Sequence, residues 1–204
     1  MSRLRVAGLI SILLLTGIIL SGVGYAELLI DEFDRSTNFL GGRSSVYQQE
    51  PSRALAIESP SEFYGSGGQS LMIKYDKKGQ GGPYGAGGWC GWYTLLKKGE
   101  AYFDATSYKT LTFYVKGANG NENFKVGMAD RHWDRVGDSV KSEEIGKYLS
   151  AGNITTEWQK AAIPLDAFFI DFKELASVAI CFEGDCFPDG VGKGTIYIDQ
   201  LKLE

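Results

Sequence analysis

Ala129-Asp130-Arg131-His132-Trp133-Asp134-Arg135-Val136-Gly137-Asp138 gathers three aspartates, two arginines, a tryptophan and the chain's one histidine into ten residues. That mixture suits a sugar. An aromatic face stacks on the apolar face of a pyranose ring, while charged groups exchange hydrogen bonds with its hydroxyls. Asp130, Arg131 and His132 would supply those hydrogen bonds and Trp133 the stacking face. The plainer alternative is a solvated loop laced by Asp–Arg pairs, each contributing at most about 1 kcal/mol.

A second stretch, Gly79 to Tyr93, packs seven glycines, two tryptophans, two tyrosines and a cysteine into fifteen residues. Glycine lets a backbone approach its neighbours closely, at an entropic cost. Large aromatics beside it either anchor a loop into a core or present a flat apolar platform. Tyr84, Trp89 and Trp92 are the candidate stacking surfaces. Strand alternation sends Cys90 and Trp92 to one face and splits Trp89 and Tyr93 around Gly91, so one aromatic is expected in the core and another exposed. Asp130 to Asp134 ranks as the primary site, with Trp89 to Tyr93 as its neighbouring wall.

Other chemistries fit poorly. No serine stands in a GxSxG elbow; Gly65-Ser66-Gly67 lacks the spacing. Asp130, Asp134, Glu143 and Glu144 are close enough in sequence to form a glycoside-cleaving pair. Carboxylates are common, however, and no catalytic residue is assigned. A secreted glycan-active enzyme is the weakest of three readings. Gly192-Lys193 is followed by Gly194 rather than Ser or Thr, so there is no phosphate loop, and the glycine-rich stretch contains no GxGxxG. The longest basic runs are the pairs Lys77-Lys78 and Lys97-Lys98, which with a net charge of −4 argues against a nucleic-acid partner. Cys181 sits in an apolar run and reads as a small buried residue. Cys90 and Cys186 look loop-borne and are the expected disulfide; no Cys/His spacing suits a metal.

The elements that must position these residues are short strands. Arg3, Arg5, the apolar run Val6–Val23 and Gly24-Tyr25-Ala26 have the layout of a cleavable signal peptide over residues 1–26, with an uncleaved anchor as the alternative. Cleavage leaves 178 residues with a net charge of −6, enough for one well-cored domain over 27–204, and no other segment could span a membrane. Alternating apolar, β-branched and aromatic residues mark strands at 28–34, 46–48, 54–57, 70–75, 92–96, 110–116, 124–129, 145–149, 158–165, 177–182 and 195–203. Short helical turns are expected at 166–168 and 171–175. Phe113, Val115, Val126, Ile163, Ile180 and Ile198 are core candidates, and Trp158 reads as core as well. Glu183–Gly190 reads as a structural acidic turn. Glycine-rich punctuation and the absence of a long helical period point to an all-β antiparallel sandwich or jelly roll.

Asp31-Glu32-Phe33-Asp34 with Asn38-Phe39-Leu40-Gly41-Gly42, Leu111-Thr112-Phe113-Tyr114-Val115-Lys116-Gly117, Glu157-Trp158-Gln159-Lys160 with Ile163-Pro164-Leu165, and Ile196-Tyr197-Ile198-Asp199 follow one another in an order that resembles the galactose-binding-like jelly rolls. Among these the chain looks most like family 11 carbohydrate-binding modules and complex I intermediate-associated protein 30 type domains. The resemblance implies a concave, aromatic-lined face that holds a polysaccharide without cleaving it. It also implies a structural calcium ion near the chain termini, carried over to Glu32 and Asp199 with main-chain carbonyls. The reading is an exported carbohydrate-binding protein; an envelope protein–protein or assembly module on the same fold is the alternative.

Overall fold

The computed structural model describes residues 26–81 and 87–204. Tyr84 and most of the expected signal segment lie outside the described residues. Alternating side chains build eleven strands into two antiparallel sheets. The first sheet contains β3 (Arg53–Ser59), β4 (Ser70–Lys77), β11 (Gly192–Leu203), β6 (Thr110–Gly117) and β9 (Gln159–Pro164) in that order. β1 (Leu28–Asp31) takes over from β4 along the far end of β11, where Leu28 faces Leu203. The second sheet runs β2 (Ser44–Gln48), β5 (Cys90–Leu95), β10 (Leu175–Phe182), β7 (Lys125–Asp130), β8 (Val140–Glu144).

Each strand turns every other residue inward. Leu111, Phe113 and Val115 of β6, Ile196 and Ile198 of β11, Val126 and Met128 of β7, and Val178, Ile180 and Phe182 of β10 meet between the sheets. All six core residues expected from the sequence are 2% exposed or less. The alternation of β11 is broken once. Gln200 takes a left-handed φ of 50°, and the register to β6 slips by one residue between Asp199 and Lys202. This bulge lets Ile198 and Leu201, three residues apart, both point inward.

Three elements differ from expectation. Ile145–Tyr148 is a 3₁₀ turn; the strand is the segment before it, β8, whose Ser142 hydroxyl accepts a hydrogen bond from the Val126 amide at 3.0 Å. Polar Val140-Lys141-Ser142-Glu143-Glu144 gives little strand signal because it is an outer strand. The segment after β7 is a helix, α1 (Arg131–Val136), rather than an open loop. Asp130 caps its start by accepting from the Trp133 amide, and Gly137 ends it with a left-handed φ of 79°. Trp158 lies outside the core, half-buried at the start of β9, because the inward positions of that strand are Ala161 and Ile163.

Candidate functional site

Small side chains on the outer face of the second sheet leave a groove there. Antiparallel register places Ser45, Tyr93, Ala179, Gly127 and Lys141 in one row across all five strands. A parallel row runs Tyr47, Gly91, Cys181, Lys125, and a third runs Leu95, Ser177, Ala129. The middle strands therefore offer a floor of Ala129, Ser177 and Ala179, while Tyr47 lies over Gly91 and Ser139 over Gly127. The groove above it has a volume of about 650 Å³, within the range of ligand sites.

The two walls differ in chemistry. Tyr47 of β2, Tyr93 of β5 and Trp89, just before β5, line one side. Asp134 of α1, Gly137-Asp138-Ser139 and Lys141 of β8 line the other, with Lys97 and Glu183 also present. α1 is held in place through Asp134, which accepts from Lys97 Nζ and from the Tyr102 hydroxyl at 3.0 Å. The Asp134 hydrogen bond raises the Lys97 ammonium above its ordinary pKa. Lys141 pairs with Asp138. Burial pushes the Glu183 carboxyl upward; Lys141 opposes this, and Asp185 and Asp138 add to it. A second recess of about 600 Å³ shares Lys141 and Glu183 and runs on past Lys125 and Asp185 to Lys77. Lys77 is 1% exposed and donates to the carbonyls of Lys78 at 2.7 Å and Gly190 at 3.0 Å.

Of the residues singled out in the sequence, Trp89 is in the groove. Trp92 points the opposite way: it is 3% exposed and meets Phe33 edge-on, with ring centroids 5.9 Å apart. Trp89, Gly91 and Tyr93 share one parity and so one face, where a split between faces was expected. Asp130 is 7% exposed and both oxygens are used structurally, Oδ1 by the Trp133 amide at 3.0 Å and Oδ2 by the Asp171 amide at 2.9 Å. Arg131 pairs with Glu174 at 2.9 Å and lies over the Tyr102 ring at 4.9 Å. His132 is exposed and Trp133 half-buried, edge to face with each other at 5.4 Å, and neither lines the groove. From the stretch Ala129–Asp138 the groove takes Ala129, Asp134, Gly137 and Asp138, and not Asp130, Arg131, His132 or Trp133.

Tyr93, from the stretch expected as a neighbouring wall, lines the groove, and Tyr47, Lys97, Ser139, Lys141 and Glu183 complete the site without having been assigned to it from sequence. The usable signal was parity: counting by two from Trp89 reaches Tyr93, and counting by two from Val178, on the core side, leaves Ala179 and Cys181 outside. Cys181 is fully buried, as expected, yet on the groove side, beneath Tyr47 and Ser139. All three cysteines are buried free thiols, so the expected Cys90–Cys186 bridge is not present. Cys90 opens β5 with its side chain in the core, and burial lifts its thiol to about 11 and that of Cys186 to about 12.

Glu32 and Asp199 stand at the β1 end of the first sheet. Asp199 accepts from the Tyr64 amide at 2.8 Å and the Gln200 amide at 2.7 Å. Burial raises its carboxyl, and the charges of Asp34 and Glu32 act in the same direction. Among the described residues no three His, Cys, Asp or Glu side chains converge as a metal group.

Comparison with known proteins agrees with the fold. The family model for carbohydrate binding domain 30 matches residues 32–204. A family 11 carbohydrate-binding module from Clostridium thermocellum, solved in complex with a β-1,3-1,4-mixed-linked tetrasaccharide, is similar at a TM-score of 0.63 and 16% identity, covering 87% of this chain and 94% of that one. The family 30 module of the cellulosomal cellulase Cel9D-Cel44B of Clostridium thermocellum is similar at 0.61 and 19%, covering 88% and 97%. A β-1,2-glucanase from Parabacteroides distasonis is similar at 0.57 and 18% over 86% of this chain, but over only 24% of its own. No curated protein matches the chain significantly.

Proposed function

The chain belongs to the carbohydrate binding domain 30 family, and from that premise we propose that its non-catalytic carbohydrate-binding role is exercised by the groove on the outer face of the second sheet, with a β-glucan chain as the ligand. The observation that carries this is the division of labour across the groove. A small-residue floor sits between an aromatic wall of Tyr47, Trp89 and Tyr93 and a wall of charged and hydroxyl groups. A pyranose chain laid along it would meet apolar surface with its ring faces and hydrogen-bonding groups with its edges. The β-1,3-1,4-linked tetrasaccharide bound by the family 11 module supports the choice of ligand.

Affinity electrophoresis in gels containing soluble β-1,3-1,4-glucan tests the reading. Retardation of the wild-type chain, lost in Trp89→Ala and Tyr93→Ala while both stay folded, is the expected result. Unaltered retardation in both variants removes the groove from the function.

Two further parts rest on the sequence. The basic start, apolar run and Gly24-Tyr25-Ala26 support export by a cleaved signal peptide, which predicts a mature N-terminus at Glu27 by mass spectrometry. No helix among the described residues is long and apolar enough to cross a membrane. The acidic, all-oxygen side chains of Glu32 and Asp199 suit a structural calcium ion, with main-chain carbonyls completing the six to eight oxygens it needs.

A further inference from the structure

The opposite face of the molecule carries a second aromatic strip. Register across the first sheet aligns Ile57 of β3, Met72 of β4, Tyr197 of β11 and Lys116 of β6 in one row. Trp158, just before β9, ends it beside Lys116. None of these side chains is among the buried core. Five adjacent strands at about 4.8 Å spacing make the row about 19 Å long. Lys116 Nζ lies 5.9 Å from the centroid of the Trp158 ring and 5.7 Å from that of Tyr197, and donates to Glu62 at 2.7 Å.

The strip is held in shape. Tyr64 stacks on Tyr114 with centroids 3.4 Å apart and meets Trp158 edge-on at 6.3 Å. The Tyr64 amide is fastened to the buried Asp199. These rings therefore need little reordering on binding, which lowers the cost of association.

Width and charge select the occupant. The row is one residue wide and its flanks are mixed: Leu55, Lys74 and Thr195 lie along one side and Tyr114 and Lys160 along the other. A stable protein interface needs a compact patch of about 800 Å² on each partner. A narrow line of Ile57, Met72, Tyr197 and Trp158, with the tyrosine hydroxyls beside it, instead matches an extended chain of sugar rings. Glu62 offsets the charge of Lys116, the one ion within the row, so an uncharged chain leaves that ion paired.

We propose that this strip is a second glycan-binding surface, for a neutral β-linked polysaccharide, so that one domain bridges two chains held on opposite faces. It depends on the groove reading only for the choice of probe. The experiment is calorimetry with the β-1,3-1,4-linked tetrasaccharide together with light scattering of the soluble polymer. Wild type, Trp158→Ala/Tyr197→Ala and Trp89→Ala/Tyr93→Ala are compared, with circular dichroism confirming that each is folded.

Two tetrasaccharides per wild-type chain and polymer cross-linking are expected. Trp158→Ala/Tyr197→Ala should bind one and cross-link at least tenfold less, and Trp158→Phe should restore bridging. One site in wild type, with Trp158→Ala/Tyr197→Ala indistinguishable from it, overturns the proposal and leaves the groove standing. A wild-type dimer in sedimentation that Trp158→Ala/Tyr197→Ala dissolves, with glucan stoichiometry unchanged, overturns it in favour of a second copy of the chain. Loss of all binding in Trp158→Ala/Tyr197→Ala, with none in Trp89→Ala/Tyr93→Ala, retains the strip and removes the groove. No binding by wild type overturns both.

Discussion

Tyr47 lies across Gly91. A Cβ on Gly91 would stand 2.6 Å from Tyr47 Cζ, and the phenol reaches over β5 to the Ile180 carbonyl at 3.4 Å. Only a glycine lets the ring lie this low. The phenol is raised well above its ordinary pKa by burial, with Cys181 beneath it adding to the shift, so it stays protonated as a donor. Tyr47 is thus both the end of the aromatic wall and the cover over Cys181.

That double position gives the first prediction. Burial lifts the Cys181 thiol to about 11, and an inaccessible, protonated thiol reacts slowly. Tyr47→Ala should make Cys181 react with a thiol reagent at least tenfold faster in the folded protein, and should weaken glucan binding in parallel. Tyr47→Phe keeps the cover and should do neither to the same degree. Equal thiol reactivity in wild type and Tyr47→Ala would remove the covering role.

The tryptophans separate binding from stability. Trp89→Ala and Tyr93→Ala should each raise the Kd for β-1,3-1,4-glucan oligosaccharide by roughly thirtyfold, about 2 kcal/mol, with little change in melting temperature. Trp92→Ala should do the opposite, costing roughly 3–5 kcal/mol of stability through the space left beside Phe33. Trp133→Ala, outside the groove, should leave binding within about twofold. Titration calorimetry and denaturant unfolding on the four variants read both quantities.

The contrast shows how far the sequence carries. Alternation in Thr110–Gly117 and Lys125–Asp130 named the core, because a strand with one face buried writes its parity in apolar residues. The same rule, carried through Gly91, would have put Trp89 and Tyr93 together. Asp130 to Trp133 misled because composition says nothing about what is already partnered. Asp130 had the right chemistry for a sugar and spends both oxygens on amides. Lys141 and Glu183 were illegible for another reason. They come from β8 and the residue just after β10, and only the strand order brings them to β5.

Asp31 gives a pH prediction. Burial raises its carboxyl from 3.8 to about 6; the bond from the Phe33 amide, at 2.8 Å, opposes the shift, while Glu32 and Glu58 add to it. The folded state therefore binds this proton more tightly than the unfolded chain. The stabilising contribution is present in full below about pH 4 and is lost as pH rises through about 6. Asp31→Asn keeps an acceptor for Phe33, whose φ of 63° needs that support, and removes the charge. At pH 7.5 the variant should be more stable than wild type by roughly 1–3 kcal/mol, and the gain should vanish near pH 4. A gain that does not change between these two pH values would mean that Asp31 is not the titrating group.

Asp199 and Glu32 supply the last test. Burial, with Asp34 and Glu32 nearby, makes the ionised Asp199 unfavourable in the fold, and a bound divalent cation would reverse the sign of that cost. If calcium binds there, saturating it at about 100 times its Kd adds about 2.7 kcal/mol, which in a domain of this size is roughly 5–10 °C of melting temperature. Glu32→Gln should abolish the calcium response while leaving the chelator-treated melting temperature near that of wild type, since Glu32 makes only a 4.0 Å contact with Arg35. Asp199→Asn should abolish the response too. It keeps the acceptor for the Gln200 or Tyr64 amide but not both with equal strength, so it should also shift the chelator-treated midpoint. An identical midpoint for the wild-type chain in calcium and in chelator means that the two amides alone hold Asp199 and that no ion is part of the fold.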